Sequence, residues 1–195
     1  GLTQLLLEEE PRQDQIEHVR TLQFSANNLV VFINDVLDFS KIEAGKLTLE
    51  SREFSPVKTI EDTKQRFLLP ARDKQIDLNY HFDEAIPKCL IGDPVRLNQI
   101  LTNLVSNAIK FTKANGKVIL HMNQIEKEGQ LFLKIKVEDT GIGIPQSIIP
   151  HLFERFYQAG NSKISKDESA QLHYAGGGTG VGLTLTNELV QLMNG

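Results

Sequence analysis

The chain has 195 residues, 40% of them apolar, with a formal charge of −4, enough for one good core and an appendage. No apolar run nears the roughly 18 residues of a membrane span, no signal peptide opens the chain, and no basic stripe interleaved with aromatics points to nucleic acid. The single cysteine, Cys89, excludes an internal disulfide and fits a reducing compartment, and no Cys/His cluster has metal-ligand spacing.

Residues 1–10 read as the end of a helix that begins upstream, interrupted by Pro11. From Arg12 to about Ala44, Ile16, Val19, Leu22, Ala26, Leu29, Ile33, Val36 and Leu37 recur in steps of three and four, and Phe24, Phe32 and Phe39 widen that face. One helix cannot bury such a seam alone, so a dimerising helical hairpin is expected, with Gly45 as its stop. Past Gly45 the alternation of Leu47 and Leu49 predicts a strand over Lys46–Phe54. Ser55-Pro56 opens a helix to about Leu69, cap followed by proline. Ile76–Phe82 and Lys88–Ile91 read as strands. Val118–Ile125 and Leu131–Val137 form an antiparallel pair across the turn Glu126–Gln130. Gly180–Met193 is expected to be the last helix.

The central stretch, Asp93–Thr112, has the marks of a well-made helix. Asp93 is a good cap and Pro94 sits at the first helical position. Val95, Leu97, Ile100, Leu101, Leu104, Val105, Ala108 and Ile109 form a broad apolar stripe. Asn103, Asn107 and Lys110 lie one turn apart in succession on another side, so three polar side chains project together. Asparagine is a mediocre helix former, and solvation or a backbone bond accounts for the pair as well as function does.

Asp139-Thr-Gly-Ile-Gly143 follows directly on a strand end. A carboxylate there can accept a hydrogen bond from an exocyclic amine such as that of adenine, while glycines let backbone pass close to a flat ligand. An ordinary Asp-containing turn is the simpler account of the pentapeptide alone. Gly176-Gly-Gly-Thr-Gly-Val-Gly182 leads into a helix; its N–H groups make a cradle for phosphate oxygens, or a flexible hinge. Its spacing is not a dinucleotide fingerprint, and no P-loop Gly-Lys-Ser/Thr occurs. Between them, Leu152-Phe-Glu-Arg-Phe-Tyr157 reads as a small satellite core in which Phe153 and Phe156 can anchor a lid. Lys163 and Lys166 at its polar tip read as solvated.

In this order the motifs resemble the ATP-binding domain of sensor histidine kinases, within the superfamily that includes gyrase. NLVSNAIKFT is similar to the N box, DTGIG to the first glycine box, LFERFY to the F box and GGTGVGL to the second glycine box. Upstream, INDVLDFSKIEAGKL resembles the end of the dimerisation and phosphotransfer hairpin of hybrid sensor kinases, so the resemblance covers essentially the whole chain.

The resemblance implies an α+β fold: a two-layer sandwich (about 46–195) in which a mixed sheet packs on three helices, preceded by a dimerising helical segment (about 1–45). It implies ATP and Mg²⁺ as cofactors. Asn107 matches the Mg²⁺-binding asparagine, an amide oxygen being a hard neutral ligand. Asn103 is its companion at the triphosphate, and Lys110 the phosphate-contacting base. Asp139 matches the adenine-reading carboxylate, with Gly141 and Gly143 shaping that wall. Gly178, Thr179, Gly180 and Gly182 match the phosphate cradle and lid hinge. The implied reaction moves the ATP γ-phosphoryl to a histidine nitrogen, largely by positioning and charge neutralisation. Implied partners are a second copy of the chain, its own phosphoacceptor helix and a response-regulator receiver domain; the implied place is a cytoplasmic domain of a membrane-anchored sensor. Gyrase-like hydrolysing members carry a water-activating glutamate where Asn103 stands here, and asparagine is no general base.

Two departures matter. The family's phosphorylated histidine, in a His-Glu/Asp-x-Arg-Thr-Pro-Leu motif, is expected several turns before Leu5–Leu7. His18 lacks the acidic neighbour and the proline and reads as an ordinary helix residue; His81, His121, His151 and His173 carry no comparable signature. After Leu192–Gly195 the family adds a strand hairpin that completes the sheet, so the chain is expected to be a fragment in which nucleotide binding survives better than autophosphorylation. Arg155 stands where many hybrid kinases have proline. The rival expectations are an ATPase motor or chaperone-type domain, and a pseudokinase that binds nucleotide as a conformational ligand or binds none.

Overall fold

The structure is a computed structural model that describes residues 5–6, 12–154 and 180–195. It divides into two compact units, residues 1–47 and 48–195. In the first, α1 runs over Gln13–Glu43. It ends as expected: Gly45 takes φ +62°, its N–H bonds Ile42 O, and Lys46 N–H reaches back to Lys41 O at 2.8 Å. That is a Schellman closure. Along α1, Leu22, Leu29, Ile33 and Leu37 are each about half exposed or more, while Phe39 is buried.

The second unit holds two small sheets. Strands β1 (Arg52–Phe54) and β3 (Leu90–Gly92) pair antiparallel. A mixed three-stranded sheet has the order β2-β4-β5. In it β2 (Asp77–Phe82) runs parallel to β4 (Lys117–Lys127), and β4 runs antiparallel to β5 (Gln130–Asp139). The β4–β5 hairpin closes through Glu128 and Gly129, both at positive φ, the backbone that a two-residue turn matched to strand twist requires. Helices α2 (Pro56–Asp73), α3 (Pro94–Phe111) and α4 (Gly182–Leu192) complete the unit, with α3 central and both others packed on it.

Strand alternation supplies the core. Val118, Leu120 and Met122 of β4 are fully buried against Ile60 of α2 and Leu97, Leu101, Val105 and Ala108 of α3. Leu133, Ile135 and Val137 of β5 extend the layer. On the opposite sheet face, His81 and His121 stack at 5.2 Å, and His121 Nε2 lies 3.0 Å from Glu138, which also pairs with Lys136.

Three expectations are corrected. The strand expected over Lys46–Phe54 forms only at Arg52–Phe54. A strand needs a ladder, and β3 offers three residues; Leu47 N–H bonds Lys41 O instead, and Glu50 N–H bonds Asp93 Oδ2 at 2.9 Å. Helix α2 continues past Leu69 to Asp73 with Pro70 inside it, where burying Ala71 against the core outweighs one missing helix bond. Val95, placed on the apolar stripe of α3, is 51% exposed, whereas Leu97 two residues on is buried.

Among the described residues, no helix is long and apolar enough to cross a membrane.

Candidate functional site

The site is built on α3. Asp93 starts it: the carboxylate is 3% exposed, its Oδ1 accepts from Val95 N and Arg96 N at 3.0 Å, and its Oδ2 holds Glu50 N. A carboxylate at a helix N-terminus satisfies orphan donors and complements the dipole. One Asp thus aligns α3 with the segment before β1.

At the other end, Lys74 reaches across from the end of α2. Its ammonium donates to Ile109 O at 2.8 Å and Lys110 O at 2.6 Å, satisfying carbonyls that a helix terminus leaves open. Sequence reasoning missed Lys74. It lies 35 residues away, and only the packing of α2 on α3 brings the two together.

The polar row divides into unlike members. Asn103 is engaged: its Nδ2 donates to Gly182 O at 2.5 Å and to Thr186 Oγ1 at 3.1 Å, joining α3 to the first turn of α4. Asn107, one turn on and half-buried, has no side-chain partner among the described residues. Lys110 stands 4.9 Å over the Phe111 ring, and burial lowers its ammonium pKa below the ordinary 10.5.

The Asp139 loop closes on the end of α3. Ile142 N–H donates to Phe111 O at 3.3 Å. Thr140 is pinned to Lys117 through both backbone and hydroxyl. Asp139 Oδ1 accepts Gly141 N at 2.8 Å, and its other oxygen carries no partner among the described residues. Gly141 is required by space: a methyl there would lie 2.6 Å from Phe111 O and 2.7 Å from Asp139 Oδ1. Gly143 and Gly180 both adopt positive φ.

Phe153 is half exposed, and the segment it lies on is tied to α4 by Thr184 Oγ1 donating to Glu154 O at 3.2 Å. Thr184 and Thr186, both nearly buried, were also missed. The available signal was two threonines set among Leu183, Leu185 and Leu189 on the last helix. Phe156, Gly178 and Thr179, with Arg155, Lys163, Lys166 and His173, lie outside the described residues.

The structure therefore brings Asn103 to Gly182 and the Asp139–Gly143 loop to the end of α3, around Lys110 and Phe111. A hollow of about 180 Å³ at that end is bounded by Lys74, Lys110, Phe111, Thr112, Lys113 and Ile142. It is smaller than the roughly 300 Å³ at which ligand pockets begin. Among the described residues, no group of three His, Cys, Asp or Glu is placed to hold a metal.

Comparison with known proteins identifies the family. The sequence model described as "Histidine kinase-, DNA gyrase B-, and HSP90-like ATPase" matches residues 92–195. The signal transduction histidine-protein kinase BarA of Escherichia coli (strain K12) is 42% identical over the whole chain, which spans 20% of BarA. The sensor histidine kinase GacS of Pseudomonas protegens is likewise 42% identical, again over all of this chain and 20% of its own length. The chain thus spans about a fifth of the curated relatives it matches. Among solved structures, full-length ShkA in complex with AMPPNP superposes with a TM-score of 0.74 at 26% identity, covering all of this chain and 37% of that one. With more than half of its length matched by that model, the chain belongs to the histidine kinase-, DNA gyrase B- and HSP90-like ATPase family and carries the ATP-binding catalytic domain in the form found in two-component sensor histidine kinases.

Proposed function

We propose that residues 48–195 bind ATP with Mg²⁺ and transfer its γ-phosphoryl group to a histidine on a helical hairpin, for relay to an aspartate of a response-regulator receiver domain. The observation that carries this is the division of labour on α3. Asn103 is spent on α4, while Asn107, one turn away and half-buried, keeps its amide oxygen unengaged among the described residues.

That free oxygen fits a hard cation, and with no carboxylate cluster among the described residues, an ion there takes its other ligands from phosphates and water. When bound, Mg²⁺ neutralises charge on the transferring phosphoryl group. The protein's own groups do the rest. The unpartnered Asp139 oxygen accepts from the adenine amine, and Gly141 lets the ring approach the backbone. Lys110, whose ammonium burial disfavours, is stabilised in its charged form beside phosphate. Transfer breaks the bond between the γ-phosphorus and its bridging oxygen, releases ADP and forms an N–P bond. Asn103 offers no general base for water, so hydrolysis is not the favoured outcome.

The segment 1–45 is read as the C-terminal part of a helical dimerisation domain. The exposed Leu22, Leu29, Ile33 and Leu37 of α1 support pairing with a second copy and with the phosphoacceptor helix. The names of BarA and GacS support the kinase reading, and the family resemblance extends it to a cytoplasmic domain of a membrane-anchored sensor.

The experiment is calorimetric titration with ADP and an ATP analogue, with Mg²⁺ and with EDTA, on the natural chain and on Asn107→Ala. Metal-dependent binding that Asn107→Ala abolishes is expected. Unchanged affinity in the variant defeats the metal assignment, and no binding by a folded natural chain turns the reading to a pseudokinase.

A further inference from the structure

We propose that Asn103 is a positioning residue: it fixes the first turn of α4 at Gly182 and does not itself touch phosphate. The consequence for binding rests on the nucleotide reading above; the geometry does not. Both amide protons of Asn103 have acceptors, Gly182 O and Thr186 Oγ1. Its oxygen faces Gly182, since a methyl built there would lie 2.5 Å from Oδ1 and 2.8 Å from Nδ2.

Gly182 does not sit in the left-handed region, so its backbone suits any residue. Space alone demands glycine there, and Asn103 takes that space. Thr186 is only 7% exposed, so its hydroxyl has little water to turn to if Asn103 leaves. The same turn is fastened on its other side by Thr184 to Glu154 O. The start of α4 is therefore clamped between α3 and the segment that carries Phe153. For Asn103 to donate to phosphate, it must release one or both of these bonds.

Gly182→Ala, Asn103→Ala and the double variant test this, by amide hydrogen exchange and nucleotide titration together. In Asn103→Ala, the amide of Leu185 and those following it should exchange about tenfold faster, as expected for losing two modest hydrogen bonds. Amides of the buried sheet at Val118 and Leu120 should keep their rates, and nucleotide affinity should fall by a similar factor. Gly182→Ala alone should do the same by displacing Asn103, and it keeps the test open if Asn103→Ala fails to fold. The double variant should be no worse than Asn103→Ala, because the new methyl enters the vacated space.

Loss of affinity with unchanged exchange at α4 would overturn the proposal and make Asn103 a direct nucleotide contact. Additive losses in the double variant would overturn it as well. The exchange arm needs no nucleotide, so absence of binding in every sample would count against the nucleotide reading and leave the clamp to be judged by exchange alone.

Discussion

Lys74→Met removes an ammonium and keeps an unbranched stem of similar reach. In the native chain that ammonium closes the end of α3, 2.8 Å from Ile109 O and 2.6 Å from Lys110 O. Hydrogen bonds from a charged donor contribute about 1.5–3 kcal/mol where water is excluded. A cation at a helix C-terminus adds about 0.3–1 kcal/mol. Lys74 is only half-buried, so water takes over part of both roles in the variant. The expected loss is about 2 kcal/mol, or about 4–8 °C in Tm for a domain of this size. Urea unfolding measures it, provided the slope with denaturant is unchanged between variants. Lys88→Met, at an exposed position, is the control and should stay within about 0.5 kcal/mol. The functional arm follows from connectivity: Ile142 N–H bonds Phe111 O, one residue past the carbonyls that Lys74 holds. Loosening that corner should also weaken nucleotide binding. A loss no larger than the control would refute the reasoning and show that water caps the helix equally well.

Tyr80 places its hydroxyl in the interior without a hydrogen-bond partner among the described residues, and burial pushes its pKa from 10.0 up to about 12. Stability from the neutral phenol is therefore complete below pH 10 and declines as pH rises from there through 12; Tyr80→Phe should remove that alkaline decline in urea titrations and cost little or nothing near neutrality. Lys110 has its pKa lowered by burial, so in the window between the lowered and ordinary values phosphate should draw a proton onto it. Calorimetry in two buffers of different ionisation enthalpy should find proton uptake there, absent in Lys110→Arg. Asp139→Asn should weaken adenine nucleotides far more than inorganic triphosphate; equal losses would remove Asp139 from the adenine wall.

Much of α3 was legible because its determinants are local. Cap, first-turn proline, apolar period and the Gly45 stop of α1 each act within a turn or two of chain, where spacing alone carries the physics. The β4–β5 pair was likewise legible from its alternation, though its ladder runs on to Lys127 and Gln130 and the turn is tighter than the expected Glu126–Gln130. The strand over Lys46–Phe54 failed for the opposite reason: alternation proposes a strand, but only a ladder partner makes one, and β3 reaches just Arg52–Phe54.

The candidate site divides along the same line. The sequence by itself determined which polar side chains share a face of α3 and that a glycine turn opens α4, since helical pitch fixes the first and glycine's missing side chain the second. Which of the two asparagines is occupied was decided only by the docking of α4, which presents Gly182 O and Thr186 Oγ1 to Asn103 from about 80 residues away. The capping of α3 by Lys74 and the seating of Gly141 against Phe111 O are of the same kind. Each joins groups far apart in the chain, and no local period encodes which distant donor meets which carbonyl until the helices have packed on the sheet.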